Sequence, residues 1–405
     1  MVYCSVFLFI SILTYLFDVK GRKENKSFWY GILTTLLIII AGFRFRLGGD
    51  TITYTESFYH IIPELSEIKV EEIFSYEYEP FFTLLNSAVK TAGYKFFIVQ
   101  LIHATFVNFL FLFYFWKHSK YPFLCSLFYY VWSYFLLNFE EMRASMGIGI
   151  CLYANDLVLG KKYLKGLFLY LLAGLFHYTC IALIITPFMT FMRFNKIGWL
   201  FITLTFVGGI FILSKIEDAF LMIDLGDRIS GRAIRYLNNE EYLVVHNIKY
   251  YIVGIGAFLF YSYFSVRLSQ YGDEYESLKK LEPLLIMGLL FMILKSNLGI
   301  ITRFVRFYEP YFILFFSDLF IIIVQKQTSV SRVLSVLKAG LVFIPFFYNI
   351  TSFYFYRKTD DIELSKHYNY ERYYPYSSIL EKSLDDRRER MYLAIGYDKF
   401  NPREY

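Results

Sequence analysis

The residues best suited to chemistry lie in one short run, Arg44-Phe-Arg-Leu-Gly-Gly-Asp50, which follows a long apolar stretch and opens the first polar segment. Ionisable residues at the edge of a membrane segment are costly and commonly functional. Paired glycines there let backbone N–H groups approach an anion closely. We therefore predict that Arg46 and Asp50 are catalytic and that Arg44 and Tyr54 bind substrate. The simpler interpretation is an interfacial anchor, in which an arginine extends toward lipid headgroups.

Three more residues, in separate parts of the chain, are predicted to join the same catalytic site. Glu79 precedes a proline at the start of an apolar segment, where it would act as a general base or cap a helix. Arg143 opens another apolar segment, and pairing with Glu140 or Glu141 is its structural alternative. His177 interrupts an otherwise apolar run, and a histidine within a membrane segment typically faces a cavity or a polar partner.

Arginines later in the chain are predicted to bind substrate. Arg232 and Arg235 lie in a long polar loop that mixes arginines, carboxylates and tyrosines, as sugar-binding surfaces do. Arg303 and Arg306 are three residues apart just before an apolar segment, so on a helix they share a face. Two guanidinium groups there would suit a pyrophosphate, because a guanidinium donates two parallel hydrogen bonds to phosphate. The simpler interpretation of the loop is a solvated surface with balanced charges.

The composition indicates the class of protein that must position these residues. The chain has 405 residues, of which 57% are hydrophobic and only 19% charged. Soluble domains are nearer 45–50% apolar, and a membrane-spanning helix needs about 20 apolar residues. We predict an all-α, polytopic membrane protein with roughly 10–12 transmembrane helices. The predicted spans are Val2–Phe17, Phe28–Phe43, Phe96–Phe115, Pro122–Leu137, Met142–Leu159, Leu164–Phe176, Tyr178–Met192, Trp199–Leu213, Tyr250–Val266, Pro283–Leu294, Tyr308–Val324 and Val333–Tyr354.

Other classes of protein and site are not indicated. The net charge of +6 reflects lysines beside the apolar segments, so a nucleic-acid partner is not predicted. The four cysteines lie within apolar segments, without the spacing of metal ligands or of a disulfide framework. The first apolar segment lacks a charged start and a cleavage site, which predicts an uncleaved span. We therefore predict neither a metal nor a cofactor.

The loop charges predict how the spans are oriented. If the first basic connection is cytoplasmic, alternation of the spans places lysine-rich loops inside and most arginines outside. An arginine-rich outer face indicates an anionic substrate that is handled outside the cytoplasm. This assignment requires the chain to divide into two spans at His177; a single span there would invert everything that follows.

The predicted domain organisation is a polytopic region over residues 1–356 followed by a charged, tyrosine-rich tail over residues 357–405. The polytopic region carries two external loops, at about residues 44–94 and 214–248. Within the tail, Glu381–Ala394 is predicted to form a short helix, and no chemistry is legible in that segment.

Four blocks, taken together, resemble the EpsG-like branch of the Wzy-type polysaccharide polymerases. They are Arg46-Leu-Gly-Gly-Asp-Thr51 with Tyr54, Glu79-Pro-Phe81, the segment from Asn138 to Ser145, and Phe176-His177. The resemblance implies a bacterial inner-membrane enzyme, related to the GT-C-like membrane glycosyltransferases that use lipid-phosphate donors. Such enzymes join undecaprenyl-pyrophosphate-linked oligosaccharide repeat units on the outer face of the membrane to build O-antigen, exopolysaccharide or capsule. It also implies a chain-length regulator and a flippase as partners.

The residues agree in outline with that chemistry. Arginines would stabilise the charge that develops on a departing lipid pyrophosphate, and Arg46, Arg143, Arg303 and Arg306 are predicted to contact the pyrophosphate groups of the donor or the acceptor. Asp50, Glu79 and His177 remain alternatives for the base that activates an acceptor hydroxyl. A flippase for the same lipid-linked units, or an O-antigen ligase or acyltransferase of the same pathway, are the alternative functions.

Overall fold

The computed structural model describes residues 2–205, 208, 255–256, 258–263, 278–294, 301–325, 354–355 and 366–395. Within these ranges the regular elements are helices and no strand is present, which confirms the all-α prediction. In chain order they are α1 (Val2–Leu13), α2 (Lys26–Gly42), α3 (Gly49–His60), α4 (Pro80–Thr91), α5 (Phe96–His118), α6 (Pro122–Tyr129), α7 (Met142–Leu159), α8 (Tyr163–Gly174), α9 (Lys196–Thr205), α10 (Glu282–Leu294), α11 (Thr302–Arg306), α12 (Glu309–Gln325) and α13 (Asp386–Ile395).

Two helical segments of the described chain have the length and apolar composition to cross a membrane: Val2–Val19, which extends α1 by a π-helical turn, and α5. The helices α2, α8, α9 and α10 are apolar but shorter, as is the 3₁₀ segment Tyr178–Met189. Where the predicted spans fall within the described ranges, the chain is helical over most of their length, with short turns such as residues 175–176 and 190–191. Only part of the predicted span Tyr250–Val266 is described, and of Val333–Tyr354 only the last residue is.

The chain folds as two units, and all the residues that build the site described below belong to the first. That unit comprises Met1–Ala154, Leu167–Ile181 and Phe316–Tyr405, and the second comprises Asn155–Gly166 and Ala182–Phe315. Within the first unit α2 packs closely on α5, since a Cβ at Gly42 would lie 2.7 Å from Leu101 Cδ1.

Small residues on α7 allow equally close packing. A Cβ at Gly147 would overlap Cys180 Sγ, and one at Gly149 would lie 2.9 Å from Leu110 Cδ1. The helix α8 ends at Gly174, and the 3₁₀ segment begins at Tyr178. The chain is therefore broken at His177, as the two-span interpretation requires, and α7 lies against the break.

Two π-helical turns continue α6 as far as Glu140, and π-helical turns are frequent at functional sites. A buried polar network holds their end. Asn138 accepts a hydrogen bond from Asn108 Nδ2 at 2.7 Å and donates one to the Tyr129 hydroxyl at 2.9 Å. Because a buried network of satisfied polar groups is rigid, it fixes the segment that leads into Glu140.

The C-terminal segment, residues 366–395, folds back onto the loop between α2 and α3. Phe45 N–H donates to Ser377 O at 2.8 Å, and Ile379 N–H donates to Phe43 O at 2.9 Å. The helix α13 begins five residues later than predicted, at Asp386, and packs its Met391 and Tyr392 on Ile52 of α3. The tail therefore belongs structurally to the surroundings of the first polar loop.

Candidate active site

The structure brings together three of the predicted catalytic residues in one buried cluster. Glu79 forms an ion pair with Arg143 through one carboxylate oxygen, while the other lies 3.2 Å from His177 Nδ1. Since a carboxylate only accepts hydrogen bonds, the His177 ring donates in this contact. The three residues, called the Glu79 cluster below, come from the start of α4, the start of α7 and the break after α8.

Local structure explains why Glu79 is available for these contacts. Pro80 opens α4, as its fixed φ angle favours, so Glu79 stands at the N-cap position. Its side chain makes no capping hydrogen bond and instead reaches Arg143 and His177. The structure thus decides against a simple helix cap, and against the alternative in which Arg143 pairs with Glu140 or Glu141.

Two tyrosines surround the guanidinium of Arg143. Its Nε donates to the Tyr54 hydroxyl at 3.2 Å, and its Cζ lies 4.8 Å from the centre of the Tyr78 ring. Such cation–π contacts stabilise a charge that is removed from water. The Tyr78 hydroxyl is in turn 2.6 Å from Ser57 Oγ on α3. Within the described part of the chain Arg143 Nη2 forms no hydrogen bond, so its two N–H groups remain for a substrate oxygen.

The ionisation of Glu79 follows from its neighbours. Burial by itself raises the pKa of the Glu79 carboxyl, but the hydrogen bond from His177 and the charge of Arg143 outweigh it and lower the pKa to about 2. Glu79 is therefore a carboxylate at neutral pH. Such a weakly basic group is better suited to holding Arg143 and His177 than to removing a proton from a hydroxyl group.

The glycine turn, Gly48-Gly49-Asp50, binds an anion, and that anion is the carboxylate of Glu140 in the same chain. Glu140 accepts hydrogen bonds from the N–H groups of Gly49 at 3.0 Å and Asp50 at 2.8 Å, at the start of α3. It also accepts one from the Tyr373 hydroxyl at 3.1 Å, and Arg372 Nη1 lies 3.7 Å away. The expectation that this turn is open to a substrate anion is wrong in this structure, because Glu140 occupies these donors.

Gly48 allows the glycine turn to lie very close to the π-helical turns that follow α6. Its φ angle is +89°, and a Cβ there would overlap the carbonyl oxygen of Phe139. The neighbouring Arg46 also has a positive φ angle, of 51°. Only glycine adopts such a conformation without a steric penalty, so Gly48 is required for the contact between the turn and Glu140.

Asp50 is the carboxyl group that this arrangement places in an anionic environment. Burial and the negative charges of Glu140 and Glu141 raise the pKa of Asp50 to about 7, although the charges of Arg143 and Arg372 act in the opposite direction. A carboxyl group with a pKa near the working pH is suited to general-base catalysis. Between the two predicted carboxylate bases, the structure therefore favours Asp50 over Glu79.

Comparison with known protein families assigns the chain to one of them. The EpsG family model matches residues 27–378. The chain belongs to the EpsG family. No curated protein and no solved structure matches it. The match covers every residue of the Glu79 cluster and of the glycine turn, so the candidate site lies within the matched part of the chain. Membership of the EpsG family suggests a membrane protein of polysaccharide biosynthesis.

Arg46 and Arg44 have different surroundings from Arg143. Arg46 forms a two-pronged ion pair with Glu389 of α13, with Nε–Oε1 and Nη2–Oε2 distances of 3.2 and 2.6 Å. Arg44 is completely buried and donates to Ala41 O and Thr51 Oγ1. A guanidinium without exposed surface is better suited to holding the loop than to binding substrate, so the geometry favours a structural role for Arg44.

The late arginines belong to the second unit or lie outside the described residues. Arg303 and Arg306 are three positions apart on α11, as predicted, and Arg306 Nη1 pairs with Glu309 Oε1 at 2.6 Å. Arg232 and Arg235, with the whole loop 214–248, lie outside the described residues. That Arg303 and Arg306, with Arg46 and Arg143, contact the pyrophosphate groups of the donor or the acceptor stays a prediction, as does substrate binding by Arg232 and Arg235.

The sequence did not reveal the residues that pair with the site residues through ion pairs and hydrogen bonds. The described residues contain no group of three or more His, Cys, Asp or Glu side chains that could hold a metal ion. Arg372, Tyr373 and Glu389 reach the site from the tail, and Glu389 lies beyond the EpsG family match. Alternating charges and tyrosines in the tail were the available signal, but they do not reveal a partner more than 200 residues away.

Proposed function

We propose that this EpsG family member polymerises undecaprenyl-pyrophosphate-linked oligosaccharide repeat units during synthesis of a surface polysaccharide. The observation that carries the proposal is the half-buried Arg143, which is paired with Glu79 and acts electrostatically on Asp50, while His177 contacts the other oxygen of Glu79. It supplies a fixed positive charge beside a carboxylate that titrates near neutral pH. Those are the two requirements for displacing a pyrophosphate by a sugar hydroxyl group.

The proposed step is a glycosyl transfer from the growing chain to the incoming unit. A hydroxyl oxygen of the acceptor sugar forms a bond to the anomeric carbon of the growing chain, and the bond from that carbon to the pyrophosphate oxygen breaks. Asp50 takes the hydroxyl proton, and the lipid pyrophosphate departs with the bonding electrons and an additional negative charge. Arg143 stabilises this charge through its remaining donors.

Preorganisation explains why Arg143 would be effective. A donor that is already oriented, in a site with little water, needs no reorganisation when charge develops. The tyrosine rings and the paired Glu79 carboxylate hold the guanidinium in place before substrate binds. His177 completes this support by occupying the second oxygen of Glu79.

The proposal includes the setting in which the enzyme works. We propose a multi-pass protein of the bacterial inner membrane, with roughly 10–12 spans, an active face outside the cytoplasm and a relation to GT-C-like glycosyltransferases. Lysine-rich loops on one predicted face and arginines on the other support this orientation. Arg46, Arg303 and Arg306 remain proposed contacts to the donor or acceptor pyrophosphate. A flippase and a chain-length regulator of the same pathway are the proposed partners.

The test is a chain-length assay in a strain that lacks the gene. The strain is complemented with wild type, Arg143→Ala, His177→Ala, Arg46→Ala or the control Arg22→Ala, which changes an exposed arginine outside the site. Lipid-linked glycans are then resolved on a gel. We expect long chains with wild type and Arg22→Ala, and single repeat units that reach the cell surface with Arg143→Ala.

The same assay separates the alternative functions. Repeat units that remain on the cytoplasmic side in the null strain would show a flippase and overturn the polymerase proposal. Full-length chains that remain on the lipid carrier, without transfer to a final acceptor, would show a ligase. An acyltransferase would leave chain length unchanged and alter only the acyl groups.

A further inference from the structure

A cavity of about 270 Å³ lies on the side of α3 that carries Thr51, Thr55 and Tyr59. Its wall is completed by the start of α5 and by the tail residues Ile379 and Lys382. Among the residues that line this cavity in the described chain, Arg46 alone has a part in the proposed function above. It is at the small end of ligand-binding cavities, which start at about 300 Å³, so it has room for one ring and not for a lipid tail.

The charges that line the cavity are predominantly positive. Lys95 and Lys382 line it together with the buried Arg44 and with Arg46, whose charge is paired with Glu389, while Glu56 is the one carboxylate among its lining residues in the described chain. Cationic groups around a concave surface concentrate anions there. The charge pattern therefore favours a negatively charged ligand over a neutral one.

A buried donor in the cavity wall has no partner. Gln100 on α5 is only 4% exposed, and its Nε2 forms no hydrogen bond within the described part of the chain. Leaving a buried donor unsatisfied costs about 1–3 kcal/mol. Gln100 lines the cavity, so a rotation of its side chain would let an oxygen atom of a ligand satisfy this amide. This argument is independent of the charges.

Aromatic side chains supply the remaining surface. Phe96, Phe97 and Tyr59 line the cavity beside Gln100. Aromatic rings pack against the apolar face of a sugar ring, while amide and cationic groups bind its oxygen atoms. The combination of rings, one amide and several cations is the chemistry that recognises a sugar carrying a carboxylate.

The helix α3 relates the cavity to the proposed catalytic carboxylate. Asp50 and Tyr54 are four residues apart and share one face of α3, whereas Thr51, Thr55 and Tyr59 follow another. Successive residues of a helix are about 100° apart, so these two faces are neighbours around α3. The cavity and the proposed catalytic carboxylate therefore share one helix and lie on adjoining faces of it.

We propose that this cavity is a specificity site for an acidic sugar unit, a sugar ring bearing a carboxylate, within the repeat unit. This inference rests on the proposed function for the identity of its ligand as part of a lipid-linked saccharide. Gln100 donates to a ring oxygen or to the carboxylate, Lys95 and Lys382 neutralise the charge, and the aromatic side chains pack on the ring.

The test is direct binding to the purified full-length protein in detergent, measured by calorimetry with two matched disaccharides. The acidic probe is α-1,4-digalacturonate, and the neutral probe is α-1,4-galactobiose. We expect the acidic probe to bind at least about tenfold more tightly. Gln100→Met should weaken its binding about tenfold without lowering thermal stability, since the substitution removes an unsatisfied donor and keeps the volume.

Charge variants give effects of opposite sign. Lys95→Gln should weaken binding of the acidic probe about threefold, because this lysine is exposed to solvent and its charge is screened. Glu56→Gln should strengthen it by removing the carboxylate from the wall. Lys20→Gln, an exposed lysine distant in sequence from the cavity wall, makes the same change in net charge and should leave binding unaltered.

Three outcomes would overturn the inference. They are equal affinity for both probes, no binding of the acidic probe by wild type, and binding that Gln100→Met and Lys95→Gln leave unchanged. A lipid headgroup would reveal itself if nanodiscs with phosphatidylglycerol, compared with phosphatidylcholine alone, stabilised wild type but not Lys95→Gln, while the acidic disaccharide had no effect. The binding measurement does not depend on turnover. A failure of the inference, seen as absent or non-selective binding, can therefore be distinguished from a failure of the proposed function, seen in the chain-length assay.

Discussion

Two arginine–glutamate pairs of the first unit serve different purposes. Arg143 and Glu79 are held by helices of the apolar region, and their side chains are 19% and 1% exposed. Arg46 and Glu389 join a loop to the tail, and their side chains are 11% and 20% exposed. Breaking a pair leaves an uncompensated charge where the remaining partner is buried, whereas a carboxylate in contact with water is screened. The difference between the pairs therefore lies in their carboxylates: Glu79 depends on its cation, and Glu389 does not.

The largest effect is expected where the buried pair is broken. Arg143→Ala should reduce chain elongation at least about 100-fold, through loss of a preorganised charge. It should also lower the free energy of unfolding by about 3–5 kcal/mol, because Glu79 remains buried without its cation. Elongation is measured on glycan gels and stability by thermal unfolding in detergent.

The double variant Glu79→Gln/Arg143→Met separates the two effects. Replacing both charges removes the unpaired carboxylate, so thermal stability should return close to wild type. Elongation should not return, since the cation is absent. Recovery of both would show that Arg143 is only structural and would remove the distinction between the pairs.

The next largest effect is expected at Asp50. Asp50→Asn should slow elongation about 10²–10⁴-fold, the range for loss of a general base. In wild type the rate should rise with pH and level off above about 7, because the raised pKa keeps Asp50 protonated in more acidic solution. Initial rates measured with lipid-linked substrate between acidic and mildly alkaline pH provide the check.

Glu140→Gln provides a further test of Asp50 as the general base. The negative charge of Glu140 raises the pKa of Asp50, so its removal should lower that pKa and move the rise in activity to lower pH. A rise that stays at the same pH in this variant would point to another base.

A smaller effect on stability is expected at the glycine turn. Gly48→Ala should cost more than the roughly 1–3 kcal/mol of a non-glycine residue in a glycine-only region of backbone conformation, because its Cβ would also overlap Phe139 O. Gly93→Ala is the matched control, since Gly93 has a φ of +75° but nothing within 4 Å of its Cβ position. Thermal unfolding should rank Gly48→Ala below Gly93→Ala, and equal losses would show that the turn tolerates displacement.

The smallest effect is expected at the tail. Glu389→Gln should lower the free energy of unfolding by no more than about 1 kcal/mol, as is usual for a partly exposed ion pair. Thermal unfolding of Glu389→Gln beside Glu79→Gln tests the comparison directly. If the two variants lost the same stability, the tail would be as integral to the site as the helices are.

Much of the candidate site could be predicted because its residues violate the pattern around them. Glu79, Arg143 and His177 stand out as ionisable groups at the ends of apolar segments, and the structure brings them together. Their partners were harder to predict. Glu140 stood beside Arg143 in sequence, yet it binds the glycine turn 90 residues away.

The sequence by itself determined the helical class, the positions of the apolar helices and the EpsG family, because apolar periodicity and short motifs are local properties. Only the tertiary structure decided which carboxylate meets which cation. Burial and through-space charge made Glu79 a fixed carboxylate and Asp50 a group that titrates near neutral pH. The tail acquired its place for the same reason: Arg372, Tyr373 and Glu389 bind across long sequence separations, which no local pattern encodes.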